Sequence, residues 1–234
     1  MNDLHVSLYH VTRGSLEGAG LRSMIEDGHY LHTMPDPRTS YEAYKVLLGA
    51  NEAGALVFGR PEATRCADWY GAVADVKAGR CEVTRWQVLN LARVWLYPKY
   101  QVGGECFGPE RVPGYLDRRG QFRSTLASAA LSEAVRVIGF EYLRQRPPCF
   151  LDEPYEIRWL LSYCDTRLHR GTIYQAAGFE LYRTNERGIQ TWRKRLPALT
   201  RPQHVAVADW AVRNERSIAY RAKRAQLALP LEAL

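Results

Sequence analysis

Strand-like and helix-like stretches alternate along this 234-residue chain. The alternation predicts an α/β protein, with a mixed central sheet flanked by helices and a C-terminal helical tail. Three stretches carry the expectation. Short apolar runs with turn residues between them recur from His5 to Pro98. One segment, RSTLASAALSEAVRVIGFEYLRQ, places Leu131, Val135, Ile138 and Tyr142 at helical spacing. Finally, LSYCDTRLHRGTIYQAAGFELY runs from a buried strand through polar joints into a short helix and a further strand.

Taken in order, HVSLYHV (His5 to Val11) reads as a first strand. Ser15 is placed to cap a helix running to about Asp27, with Leu16, Leu21, Met24 and Ile25 as its apolar stripe and Gly28 ending it. GHYLHTMPDPRTS is a loop. Val46 to Pro61 reads as a hairpin around a turn containing Asn51 and Gly54, and Cys81 to Pro98 as one long strand. A Gly- and Pro-rich loop follows, then the long helix from Arg123 to Gln145, capped by Ser124 or Thr125 and stopped by Pro147 and Pro148. After the strand RWLLSYCD, the segment RGTIYQAAGF is a short helix turning at Gly178. A last hairpin closes around Asn185 to Gly188. Residues 1–199 are expected to form one catalytic domain, and 200–234 a basic helical extension, helical from Val205 to Leu229 and carrying Arg213, Arg216, Arg221, Lys223 and Arg224.

Bulk composition narrows the function classes. A hydrophobic fraction of 46% supports a sizeable core, and no apolar run reaches the roughly 18 residues of a membrane span. The N-terminus has no basic start followed by an apolar block, so a cytoplasmic protein with no membrane partner is expected. The five cysteines, odd in number and widely spaced, give neither a zinc site nor a disulfide framework and read as buried reduced thiols. A net charge of +7 favours partners that carry phosphate, nucleic acid among them.

The order strand, helix, hairpin, long strand, loop, helix, strand, helix, strand resembles that of the GNAT acetyltransferase superfamily. VLNLARVWLYP resembles its fourth strand, and IYQAAGFELY its last helix and turn. A narrower resemblance is to the Mom proteins of Mu-like phages, GNAT-like enzymes that modify the exocyclic N6 amine of adenine in DNA and so shield it from restriction. GHYLHTMP, GALVFGRP, VLNLARVWLYP and SYCDTRLHRGTIYQAAGF carry it, across roughly Met24 to Trp192. The superfamily's Q/R-x-x-G-x-G/A loop is only loosely matched by RRGQFRS.

The resemblance implies a GNAT-like sheet, an acetyl-CoA-derived donor, double-stranded DNA as partner and a bacterial host cell. The expected product is a carbamoylmethyl (acetamido) group on adenine N6. A conventional N-acetyltransferase acting on a small amine or a protein is the alternative. The donor's pyrophosphate would lie at the start of the long helix, near Arg118, Arg119, Arg123 and Ser124, where unpaired helix N–H groups favour anions. Val94 and Leu96 on the preceding strand are the other expected cofactor contacts.

Tyr174 occupies the place where a GNAT tyrosine protonates the leaving thiolate, a role suited to a phenol, which titrates near ~10 in model compounds. The ordinary alternative is a tyrosine packed in the core. Asp165, at a strand end, can accept a proton from the attacking amine, ligate a metal or cap the next turn. The resemblance further implies a functional His29–Tyr30 pair. With Asp165 these residues make a partial ligand set for ferrous iron, which imidazole and carboxylate suit. Adenine must leave the duplex to react, and Tyr30, Trp69, Tyr70 and Trp95 are candidate stacking partners.

Overall fold

A computed structural model describes residues 5–12, 14–29, 31–35, 41–101, 115–116, 122–123, 125–145 and 156–207. Strands β1 (Val6–Val11), β2 (Tyr41–Leu48), β3 (Asn51–Gly59), β4 (Tyr70–Gly71), β5 (Val83–Thr84), β6 (Val88–Leu96), β7 (Tyr115–Leu116), β8 (Phe122–Arg123), β9 (Trp159–Asp165), β10 (Glu180–Thr184) and β11 (Ile189–Arg195) alternate with α1 (Leu16–Gly28), α2 (Val73–Lys77), α3 (Leu126–Gln145) and α4 (Thr172–Ala176). The expected α/β architecture is present. A seven-stranded sheet runs in the order β1-β2-β3-β6-β9-β11-β10, with helices against it. Every neighbouring pair in it is antiparallel except β6 and β9.

The two faces of the sheet carry different helices. Side chains alternate along a strand, so odd and even positions face opposite ways. Tyr44, Val46, Leu56, Leu89 and Leu160 pack with Leu131, Ile138 and Tyr142 of α3. Ala43, Ala55 and Val57 pack with Leu21 and Ile25 of α1 on the other side. A third cluster joins Trp69, Tyr70 and Val83, from the segment between β3 and β6, to Val88 of β6 and Trp159 and Leu161 of β9.

Several elements follow the expectation. The Ser15 side chain accepts from the Gly18 N–H at 3.0 Å and starts α1. Thr125 Oγ1 accepts from the Ser128 N–H at 3.1 Å and starts α3. Asn185 Oδ1 accepts from the N–H groups of Arg187 and Ile189, which fixes the last hairpin turn.

Others are corrected. The first hairpin turns at Gly49, whose φ is +59°, and Gly54 lies inside β3. Cys81 to Pro98 is not one strand. Gln87 Oε1 accepts from the Thr84 N–H at 3.0 Å and closes a 3-10 turn at Arg85–Gln87 that separates β5 from β6. Arg123 is not at the helix start but in β8, paired with Tyr115. The tail helix begins earlier than Val205, at 201, and its Val207 packs into the α3-side core. Its basic residues from Arg213 to Arg224 lie outside the described residues, as do Tyr30, Arg118, Arg119, Ser124, Cys106 and Cys149. The described cysteines, Cys66, Cys81 and Cys164, are buried and unpaired. No helix of the described residues is long and apolar enough to cross a membrane.

Candidate functional site

The parallel ladder between β6 and β9 holds at three positions, Val88 with Trp159, Leu89 with Leu160 and Asn90 with Leu161. Beyond them the strands part, and a cleft of about 440 Å³ opens between Leu91–Leu96 and Ser162–Cys164. It lies at the C-terminal ends of the parallel pair, where open α/β sheets hold their ligands. Gly28 and His29 line it from the α1 face, and Ala127 and Tyr174 from the α3 face. The cleft therefore passes through the sheet and joins its two sides.

Local sequence explains the opening. In the β3–β6 ladder Val57 faces Arg93 and Phe58 faces Leu91, which leaves Ala92 as an extra residue on β6. Such a bulge bends the strand and re-aims the residues beyond it. The Ala92 carbonyl accepts from Arg93 at 2.7 Å, and Arg93 Nε donates to the Thr33 carbonyl at 2.8 Å. One arginine thus stabilises the bulge and ties the loop after α1 to the cleft. Gly28 is needed there as well, because a Cβ would sit 2.1 Å from the Trp95 ring nitrogen.

At the centre of the cleft the Ser162 hydroxyl lies 2.9 Å from the Tyr174 hydroxyl and 3.2 Å from the Leu91 carbonyl. Ser162 has one hydrogen to give. When it goes to Leu91, Tyr174 donates to Ser162. When it goes to Tyr174, the phenol hydrogen can point into the cleft. The Tyr174 ring stacks on Trp192, with centroids 5.9 Å apart, and meets Phe179 edge-on. So Tyr174 is both a buried core tyrosine and a cleft hydroxyl.

His29 is buried at the other mouth. Its Nδ1 accepts from the Leu31 N–H at 3.1 Å, which places the ring hydrogen on Nε2. Burial, and then the charges of Arg93, His169 and His32, lower it to about 4. It is a neutral imidazole at neutral pH, and its Nε2 is a donor.

Asp165 does not line the cleft. Its Oδ1 accepts from the Arg167 N–H and Nε at 3.0 Å each, and its Oδ2 from the Arg167 guanidinium at 2.6 Å. These bonds hold the carboxyl down at about 2. Its backbone carbonyl also accepts from the Leu168 and His169 N–H groups. The turn-capping reading of Asp165 is the one this geometry fits. His169 lines the cleft and lies close enough to His29 to bear on its charge.

Ferrous iron does not fit His29 and Asp165 as they are held here. The His29 Nδ1 lone pair is engaged by a backbone N–H, so Nε2 carries the hydrogen, and both Asp165 oxygens are held by Arg167. Among the described residues no group of three or more His, Cys, Asp or Glu side chains could hold a metal.

Of the expected cofactor contacts, Val94 and Leu96 line the cleft. The α3 N-terminus reaches it through Ala127, and Thr125 caps the Ser128 N–H of that helix. Of the expected stacking aromatics Trp95 lines the cleft, while Trp69 and Tyr70 are core residues. Ser162, Cys164 and Arg170 line it and were not legible in the sequence; a lone serine in the apolar strand LLSYC was the available signal.

No protein-family model matches this chain. No curated protein matches it. Among solved structures it is similar to a domain from Methanocaldococcus jannaschii DSM 2661, at 9% identity and a TM-score of 0.39, over 83% of this chain and 100% of that one. A likeness at that level carries no functional argument.

Proposed function

We propose that this chain is a GNAT-like transferase that modifies the N6 amine of adenine in DNA with an acetyl-CoA-derived group. The product expected from the resemblance to the Mom proteins is the carbamoylmethyl derivative, which protects DNA from restriction. The observation that carries the reading is the through-sheet cleft with the Tyr174–Ser162 pair at its centre. A donor on the α3 face and an acceptor on the α1 face would meet there.

When bound, the thioester donor would supply an activated acyl carbon and a thiolate leaving group, which accounts for an acyl group on N6. The amide nitrogen and the bond to the methylene carbon of a carbamoylmethyl group would have to come from a further, nitrogen-bearing co-reactant. The chain's own residues serve the acyl-transfer step. The first turn of α3 offers N–H groups to the donor's phosphates. Val94 and Leu96 give it an apolar strand to lie along. Tyr174 would give a proton to the departing sulfur and be restored by the proton the attacking amine loses, while Ser162 orients the phenol. Neutral His29 lines the acceptor mouth of the cleft. Trp95 and the α1 terminus close the apolar wall against which a flipped base would stack.

Mass spectrometry of nucleosides from DNA of expressing cells tests the reading. A modified deoxyadenosine that disappears in Tyr174→Phe, with folding intact, is the expected result. Unmodified DNA in expressing cells would end it.

The conventional N-acetyltransferase reading is favoured by one observation, the poor fit of the residues to iron. Simple acyl transfer needs only a proton donor for the thiolate and an exit for the amine proton. Acetyl-CoA turnover with small amines and no DNA would support it.

A further inference from the structure

The turn that leads into the cleft residues His169 and Arg170 carries an arrangement that the transfer chemistry does not use. Leu168 stands 57% exposed on the turn between β9 and α4. Arg167 precedes it, and His169 and Arg170, both exposed cleft residues, follow it. Tyr163, which also lines the cleft, and Leu31, whose N–H anchors the His29 ring, are 38% and 45% exposed. Single exposed leucines are ordinary. Here the exposed leucine directly precedes two cleft residues, His169 and Arg170, and the second of these carries a positive charge.

The turn is also braced. The Leu168 and His169 N–H groups donate to the Asp165 carbonyl at 3.0 and 2.9 Å. Asp165 clasps Arg167, and the Thr166 hydroxyl donates to the Gly188 carbonyl at 2.8 Å. Leu168 is therefore presented to solvent on a fixed support. A rigid apolar tip two residues before the Arg170 guanidinium suits a partner that is a polyanion outside and a stack of flat apolar rings inside.

We infer that Leu168 is a wedge that enters the base stack of double-stranded DNA as the target base moves into the cleft, with Arg170 on the adjacent phosphate. The inference rests on the DNA reading above and adds how the duplex is opened. A leucine inserted at a step fills the space a flipped base leaves, and so offsets part of the lost stacking. Arg170 lines the cleft, so its charge lies next to the strand whose base is withdrawn. Arg167 acts through Asp165 to stiffen the turn.

The test uses the full chain and duplexes in which 2-aminopurine replaces adenine. Fluorescence anisotropy gives affinity as salt varies, and 2-aminopurine emission reports unstacking. Wild type should bind and raise the emission several-fold. Leu168→Ala should hold duplex affinity within about threefold and lose most of the rise, while Leu168→Phe keeps it. Arg170→Gln should weaken binding and lower the salt slope by about one. An undiminished rise with Leu168→Ala overturns the wedge and leaves the DNA reading standing. Failure of wild type to bind any duplex overturns both. Duplex binding with the expected Leu168 dependence but unmodified adenine supports the wedge and ends the transfer reading.

Discussion

Replacing Gly171 with alanine should be among the most damaging single-methyl additions in this chain, and its cost can be separated into two parts. Gly171 precedes α4 with φ +69°, a left-handed conformation that costs an L-residue roughly 1–2 kcal/mol. Its Cβ would also lie 2.6 Å from Cζ2 and 2.9 Å from Cε2 of Trp192, and 3.1 Å from Gln190 Oε1. The ring cannot swing away cheaply. It is 2% exposed, donates from Nε1 to Gln190 at 3.1 Å and stacks on Tyr174. Forcing a methyl into such packing adds about 1–3 kcal/mol, for a total of about 2–5 kcal/mol. Gly49 supplies the control. Its φ is +59°, and a Cβ there meets nothing within 4 Å, so Gly49→Ala carries the backbone cost alone. Urea unfolding followed by tryptophan fluorescence measures both. With equal slopes, the Gly171→Ala midpoint should fall below that of Gly49→Ala by roughly 0.5–1.5 M. Equal midpoints would refute the packing argument and the claim that α4 is fixed by contact with Trp192.

Ser162→Ala leaves the Leu91 carbonyl and the Tyr174 hydroxyl without this partner in a buried setting, and should cost about 1–3 kcal/mol in the same unfolding assay. His29 should make stability depend on pH. Its folded value of about 4 lies below the ordinary 6.5, so the unfolded chain takes up the proton first as pH falls. Stability is then fully present above pH 6.5 and declines toward pH 4, and His29→Gln should flatten that part of the thermal-unfolding profile. Arg167→Ala should let the Asp165 carboxyl rise from about 2 toward the usual carboxylate range, as followed by NMR titration. In the DNA-modification assay Tyr174→Phe should abolish product, whereas Trp69→Phe, in the separate core cluster, should change stability only.

What the sequence made legible was local. Ser15, Gly178 and Asn185 act on their near neighbours in the chain, and each does what its residue type predicts. The first hairpin was misplaced because Asn51 and Gly54 are turn formers by type, yet Gly49 takes the left-handed position. The break before β6 was hidden because Thr84 and Gln87 form a capping pair that no apolar pattern reveals. Tyr174, Val94 and Leu96, to which the resemblance pointed, line the cleft. The cleft itself was not legible, since it depends on where β6 and β9 stop pairing, between residues about seventy positions apart. The same distance hides Ser162, which matters only because Leu91 and Tyr174 come to it.

The short seam between β6 and β9 has a mechanical meaning. On one side lie β1, β2, β3 and β6, antiparallel throughout, and on the other β9, β11 and β10, also antiparallel throughout. The sheet is thus two leaves stitched at three rungs, with α3 laid along one side like a spine. Any ligand that fills the opening adds rungs to the stitching. Its binding energy is then also cohesion between the leaves, so saturating ligand should raise the unfolding temperature and slow amide exchange in both leaves together.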